Sequence, residues 1–191
     1  MSAENTTDHP AKTFDPGPLA EVEARPEGER WTLVLVRDLP HPPTAVWAAL
    51  TDPAQLRQWA PYTADRDLGR TGGATLTMID GDTHTDLPAT VSRAEAPTLL
   101  EHTWGEDHLR WELTATASGT RLTLSHTVED RDWMPKVAAG WHLCLVVAER
   151  LLDGRPIPPI VGQDAMNYGW ETLSEGYAEK LGVVDRSDDA G

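Results

Sequence analysis

Cysteine is nearly absent from this chain. Cys144 is the only one among 191 residues, so no internal disulfide can form and no cysteine cluster can hold zinc. A reducing, cytoplasmic home is the simplest reading of that scarcity. Long apolar runs are missing too: nothing approaches the roughly 18 consecutive apolar residues that a membrane helix needs. The opening stretch, MSAENTTDHPAKTFDPGP, has neither a basic start nor an apolar middle, so it does not read as a signal peptide.

Positive charge is scarce as well. Lys and Arg number 16 against 31 Asp and Glu, a net charge of −15. Such a field repels phosphate backbones and anionic membranes, which argues against nucleic-acid and membrane partners. Lysine is rarer still, three against thirteen arginines; with the Ala, Pro and Gly load this is the composition of a GC-rich bacterial source. Phenylalanine occurs once, as Phe14, and tyrosine three times, while tryptophan occurs eight times. Most of the aromatic bulk is therefore indole, and each buried indole needs a partner for its N–H.

The signatures that carry chemistry by spacing are also missing. There is no HExxH, no GxSxG elbow, no P-loop and no GxGxxG, so no metal and no cofactor is implied. The stretch DGDTHTD (Asp80–Asp86) begins like a calcium loop. It places Thr85 where the sharp turn wants Gly and Val91 where a bidentate Glu is needed. A polar hairpin tip fits it better. TGGAT (Thr71–Thr75) leads into a strand and lacks the helix that a phosphate cradle requires. Cys144 sits within an apolar helical run and reads as an inert buried thiol.

What is present is ordered. Residues 1–29 are rich in Pro, Glu, Asp and Ala without periodicity and read as a disordered acidic tail. Residues 183–191 read as a second tail. Between them, RWTLVLVRDL (Arg30–Leu39) alternates as a strand. TAVWAALT, opened by Pro43, and PAQLRQW form two short helices. Asp52 is the N-cap of the second and Pro53 its first residue. From Gly72 onward GATLTMID, DLPATVSRAEA, TLLEHTWG, HLRWELTATA and RLTLSHTV are strands joined by tight turns, an antiparallel meander. Met134–Gly154 is one long helix with a stripe of Met134, Val137, Ala138, Trp141, Leu145, Ala148 and Leu152. Leu143, Val146 and Val147 lie off that stripe, so the helix must be covered on both sides. The second cover is a later helix, Asp164–Leu181, or a second copy of the chain in a homodimer. The fold class is α+β: a curved antiparallel sheet around a long C-terminal helix.

LPHPPTAVWAALTDPAQLRQWAP, LLEHTWG…LRWELT…GTRLTLSHTV and GWHLCLVVAERLLDG together resemble the activator-of-heat-shock-protein-90-ATPase homologue family, over about residues 30–182. That family belongs to the START-like, Bet v 1-like helix-grip superfamily, also called SRPBCC. The resemblance implies one domain over 30–182, with two short helices after the first strand and a pocket between sheet and long helix. Such pockets commonly take hydrophobic small molecules. The superfamily includes carriers, receptors, polyketide cyclases and co-chaperones, so fold alone does not choose among them. The family's eukaryotic co-chaperones carry a separate N-terminal docking domain; here residues 1–29 form a short acidic stretch, so a chaperone partner is the lesser reading.

Strand alternation assigns faces. His126 shares a face with Leu122, Leu124 and Val128; His102 with Leu100 and Trp104; Trp111 with Leu109 and Leu113; Met78 with Leu76. Trp47 and Trp59 lie on helical stripes expected to close one end of the cavity. The candidate ligand-lining residues are thus Trp47, Trp59, Met78, His102, Trp104, Trp111, His126 and Trp141. Each is also a good core filler, and an inward imidazole is more often bonded to a neighbour than to a ligand. No catalytic residue is assigned, because no Asp or Glu reads as inward on these strands. The leading expectation is a non-catalytic binder of a hydrophobic or aromatic small molecule. The alternatives are a cyclase- or dehydratase-like enzyme using an inward histidine, and a chaperone-activating module.

Overall fold

The computed structural model describes residues 14–80 and 82–183. Eight strands form one antiparallel sheet: β1 (Glu21–Glu27), β2 (Arg30–Leu39), β3 (Tyr62–Ala64), β4 (Gly72–Asp80), β5 (Thr83–Glu95), β6 (Leu99–Trp104), β7 (Asp107–Thr116) and β8 (Gly119–Val128). Their order across the sheet is β1-β2-β8-β7-β6-β5-β4-β3. Helices α1 (Pro43–Thr51) and α2 (Pro53–Trp59) carry the chain from β2 to the far edge. The meander then walks back until β8 pairs with β2, Leu33 opposite His126. This α+β helix-grip arrangement is the one the sequence predicted.

Local chemistry sets the breaks. Asp52 accepts a hydrogen bond from Ala54 N–H and caps α2, whose first residue is Pro53. Proline costs nothing there because that N–H has no helical partner. The hairpin between β4 and β5 is tighter than the predicted GDTHT connection: the strands pair as far as Asp80 opposite Thr83. Gly81 lies outside the described residues.

Helix α3 (Met134–Leu152) lies against the sheet, and Trp141 stands 5.3 Å from Trp111 of β7, ring centre to ring centre. Helix α4 (Trp170–Leu181) covers its back. There Tyr177 Oη lies 2.6 Å from His142 Nδ1 and accepts the Ala20 N–H, while His142 Nε2 donates to Pro16 O at 2.7 Å. Burial lowers the His142 pKa. The second cover of α3 is therefore α4 together with the segment Phe14–Ala20.

Two expectations need correction. The reading of residues 1–29 as a tail differs from the structure over its second half. Phe14 stacks edge-on against Tyr168, and Glu21–Glu27 pairs residue for residue with β2. EVEARPE exposes its glutamates and half-buries only Val22 and Ala24 on a sheet edge, so its apolar alternation is faint. The first strand of the predicted domain is thus the second strand of the sheet. Residues 1–13 and 184–191 lie outside the described residues. The single helix expected over Asp164–Leu181 is two pieces, a 3-10 segment Gly162–Tyr168 and then α4. Gly169 between them has φ +86°, a left-handed conformation that ends one helix and lets the chain turn into the next.

Candidate ligand-binding site

One end of the space between sheet and α3 is open. It holds a cavity of about 300 Å³ bordered by Trp104, Asp107, His126, Val137, Gly140, Trp141, Cys144 and Trp170. Pro61, just after α2, and the Ile160–Gly162 loop stand at its edge. Neighbouring strands bring the polar part together. Trp104 ends β6 and Asp107 begins β7, directly opposite it in register. His126 pairs with Leu109, two residues beyond Asp107 on the same face. Trp141 reaches down from α3.

These groups are tied in one chain of hydrogen bonds. Trp141 Nε1–H donates to His126 Nδ1 at 2.9 Å. That nitrogen therefore carries no proton, and Nε2–H donates to Asp107 Oδ2 at 2.7 Å. The other oxygen of Asp107 meets Arg30 Nη2 at 3.2 Å. Trp104 spends its N–H on Met78 Sδ at 2.9 Å and stands 5.8 Å from Trp141. Both nitrogens of His126 are committed, so in this arrangement it can neither take a proton from a ligand nor give one. Cys144 is inert here, because burial pushes its thiol up to about 12.

The other predicted residues lie behind this wall. His102 is fully buried; its Nδ1–H donates to Thr103 O at 3.0 Å and its Nε2 accepts from Trp111 Nε1 at 3.4 Å. Burial drives its pKa down to about 4, so it is neutral. Trp59 is 0% exposed, edge-on to Trp111 at 6.3 Å, and donates its N–H to Ala49 O, tying α2 to α1. Trp47 is half-buried, with its indole nitrogen near Gly69. Of the eight predicted residues, then, Trp104, His126 and Trp141 border the cavity. Met78 anchors Trp104, and Trp59, His102 and Trp111 fill the interior. Trp47 stands at its edge.

Sequence reasoning missed Asp107, although a signal for it existed: it continues the inward series Leu109, Trp111, Leu113 by one step. The strand pattern HLRWELTATA begins at His108, one residue after it. The Ile160–Gly162 loop had no such signal, since a loop has no period to read, and Trp170 opens α4 just after the turn at Gly169. Gly162 has φ +59°, and a Cβ there would stand 2.0 Å from Asp80 Oδ1. Only glycine lets this loop sit against the end of β4 and border the cavity.

The model of the family described as "Activator of Hsp90 ATPase homolog 1-like protein" matches residues 40–152. The chain belongs to this family. No curated protein matches it. Among solved structures, CalU16 from Micromonospora echinospora is 20% identical with a TM-score of 0.63, covering 84% of this chain and 96% of its own. A conserved protein of unknown function from Enterococcus faecalis is 19% identical with a TM-score of 0.65, covering 86% and 93%. The AHSA1-like protein from Aeromonas hydrophila is 21% identical with a TM-score of 0.55, covering 64% and 92%. At these identities the likeness is one of fold. The family match spans α1 to the end of α3, and so includes Trp104, Asp107, His126 and Trp141. Trp170 and β1 lie beyond it. Among the described residues no helix is long and apolar enough to cross a membrane.

Proposed function

We propose that this protein is a non-catalytic binder of a hydrophobic or aromatic small molecule held between α3 and the sheet. One observation carries the reading: a cavity of about 300 Å³ bordered, among the described residues, by three indoles, an imidazole and one carboxylate. That volume and a mostly apolar wall with a few convergent polar groups are what a small-ligand site requires. A cytoplasmic location goes with it, given one cysteine and that one buried. Titration with a panel of lipophilic aromatics, followed by tryptophan fluorescence, is expected to give saturable quenching and a raised Tm. No response to any member would refute it.

The Asp107–His126 contact favours a second reading, a cyclase- or dehydratase-like enzyme, since a carboxylate-oriented imidazole is a common acid–base device. Trp141 opposes it by occupying the second nitrogen. If a turnover is found and His126→Ala abolishes it while leaving ligand affinity intact, this second reading replaces the first. The activity in the family's description has its own assay. Under the binding reading, adding the protein to an Hsp90-type chaperone leaves the ATPase rate unchanged.

A further inference from the structure

We propose that the cavity selects a hydrophobic cation, an amine or quaternary ammonium on an apolar body, over neutral and anionic molecules of the same shape. This rests on the ligand-binding reading above and adds a charge to it.

Three observations converge. First, among the described residues Asp107 is the only acidic or basic side chain besides His126 that borders the cavity; no described lysine or arginine does. Its carboxylate accepts from His126 and Arg30 and is about one-third exposed. A carboxylate offers about four lone-pair sites, so two remain for a ligand donor. Second, three of the side-chain donors that border the cavity are already used. Trp104 N–H goes to Met78, Trp141 N–H to His126, and His126 Nε2–H to Asp107. An entering carboxylate would meet a fixed negative charge and find none of these donors free. Third, Trp104 and Trp141 stand 5.8 Å apart at 64° to each other, and Trp170 borders the same space. Indoles set at an angle around one space can offer a cation more than one ring face, and a cation within about 6 Å of an indole centre is attracted by the ring quadrupole. The chain's net charge of −15 adds long-range steering of the same sign. Arg30 offsets part of the Asp107 charge, which sets the selectivity nearer tens than thousands.

The test uses four molecules of one body: phenylbutyltrimethylammonium, phenylbutylamine, phenylbutanol and phenylbutyrate. Each is titrated into the full chain at pH 7 and followed by tryptophan fluorescence and calorimetry. The two cations are expected to bind about tenfold or more tighter than phenylbutyrate, with the alcohol between them. Added salt should weaken the cations and leave the alcohol unchanged. In Asp107→Asn the gap between amine and alcohol should narrow several-fold. The ranking in the unaltered protein stands without that variant. Equal affinities for all four, or tightest binding of phenylbutyrate, would overturn the charge preference and leave the binding site intact. Binding of none would overturn both.

Discussion

The interior contains two histidines that each accept a hydrogen bond from a tryptophan, and they have opposite surroundings. His102 takes the Trp111 N–H beneath α1 and α2, where Trp59 packs edge-on against Trp111 and Tyr62 edge-on against His102. His126 takes the Trp141 N–H at the other end, where the neighbouring space is a cavity and the second nitrogen meets Asp107. Residue type is the same in both pairs; position along the wedge between sheet and helix decides the outcome. The two short helices seal one end with side chains. At the other, a glycine-hinged loop and the start of α4 leave room.

Substitutions at the two ends should separate them. Trp59→Ala is expected to cost about 3–5 kcal/mol, the range for a fully buried large side chain, read as a lower urea midpoint. Trp104→Ala, partly buried at the cavity, should cost about 1–2 kcal/mol and weaken ligand binding instead. Equal losses would erase the distinction.

Acid gives the next contrast. His102 titrates near 4 in the folded chain and near 6.5 when unfolded. The unfolded state therefore takes up a proton that the folded state refuses. The stability this neutral imidazole confers is complete above about pH 6.5 and is lost as pH falls toward 4, about 3 kcal/mol in all. His142, also lowered by burial, acts in the same direction. Urea midpoints between pH 4 and 7 should fall with acid, and His102→Gln should flatten the slope. An unchanged slope would place the acid sensitivity elsewhere.

The smallest effect concerns the open end. Gly140 lies on α3, borders the cavity, and a Cβ there meets nothing within 4 Å. Gly140→Ala should stabilise by about 1 kcal/mol through helix propensity alone. A loss would mean that the space beside α3 is not free.

The sequence made the frame legible because the frame is periodic. Strands β2 and β4–β8, the Asp52–Pro53 break and the stripe of α3 all declare themselves by spacing and by residues with one conformational use. Strand β1 does not, since its glutamates face water and Pro26 sits within it. Trp59 and Trp111 in the interior and Trp104 and Trp141 at the cavity could all be placed inward, yet nothing in periodicity says which inward residue faces space and which faces another ring. That depends on how far the loop Asp153–Val161 and the turn at Gly169 stand from the sheet. Of the site residues that sequence reasoning missed, Asp107 alone lies within reach of strand alternation, one step before His108.

A ligand-binding role requires the cavity beside α3 to be a ligand site rather than an unfilled corner of the core. Gly140→Leu tests this most directly, because the added side chain extends from a position with open space around it. Titration of both proteins with the aromatic panel, followed by tryptophan fluorescence, should give saturable quenching in the unaltered chain and none in the variant, with the variant's Tm no lower. Equal quenching in the two proteins would contradict the account.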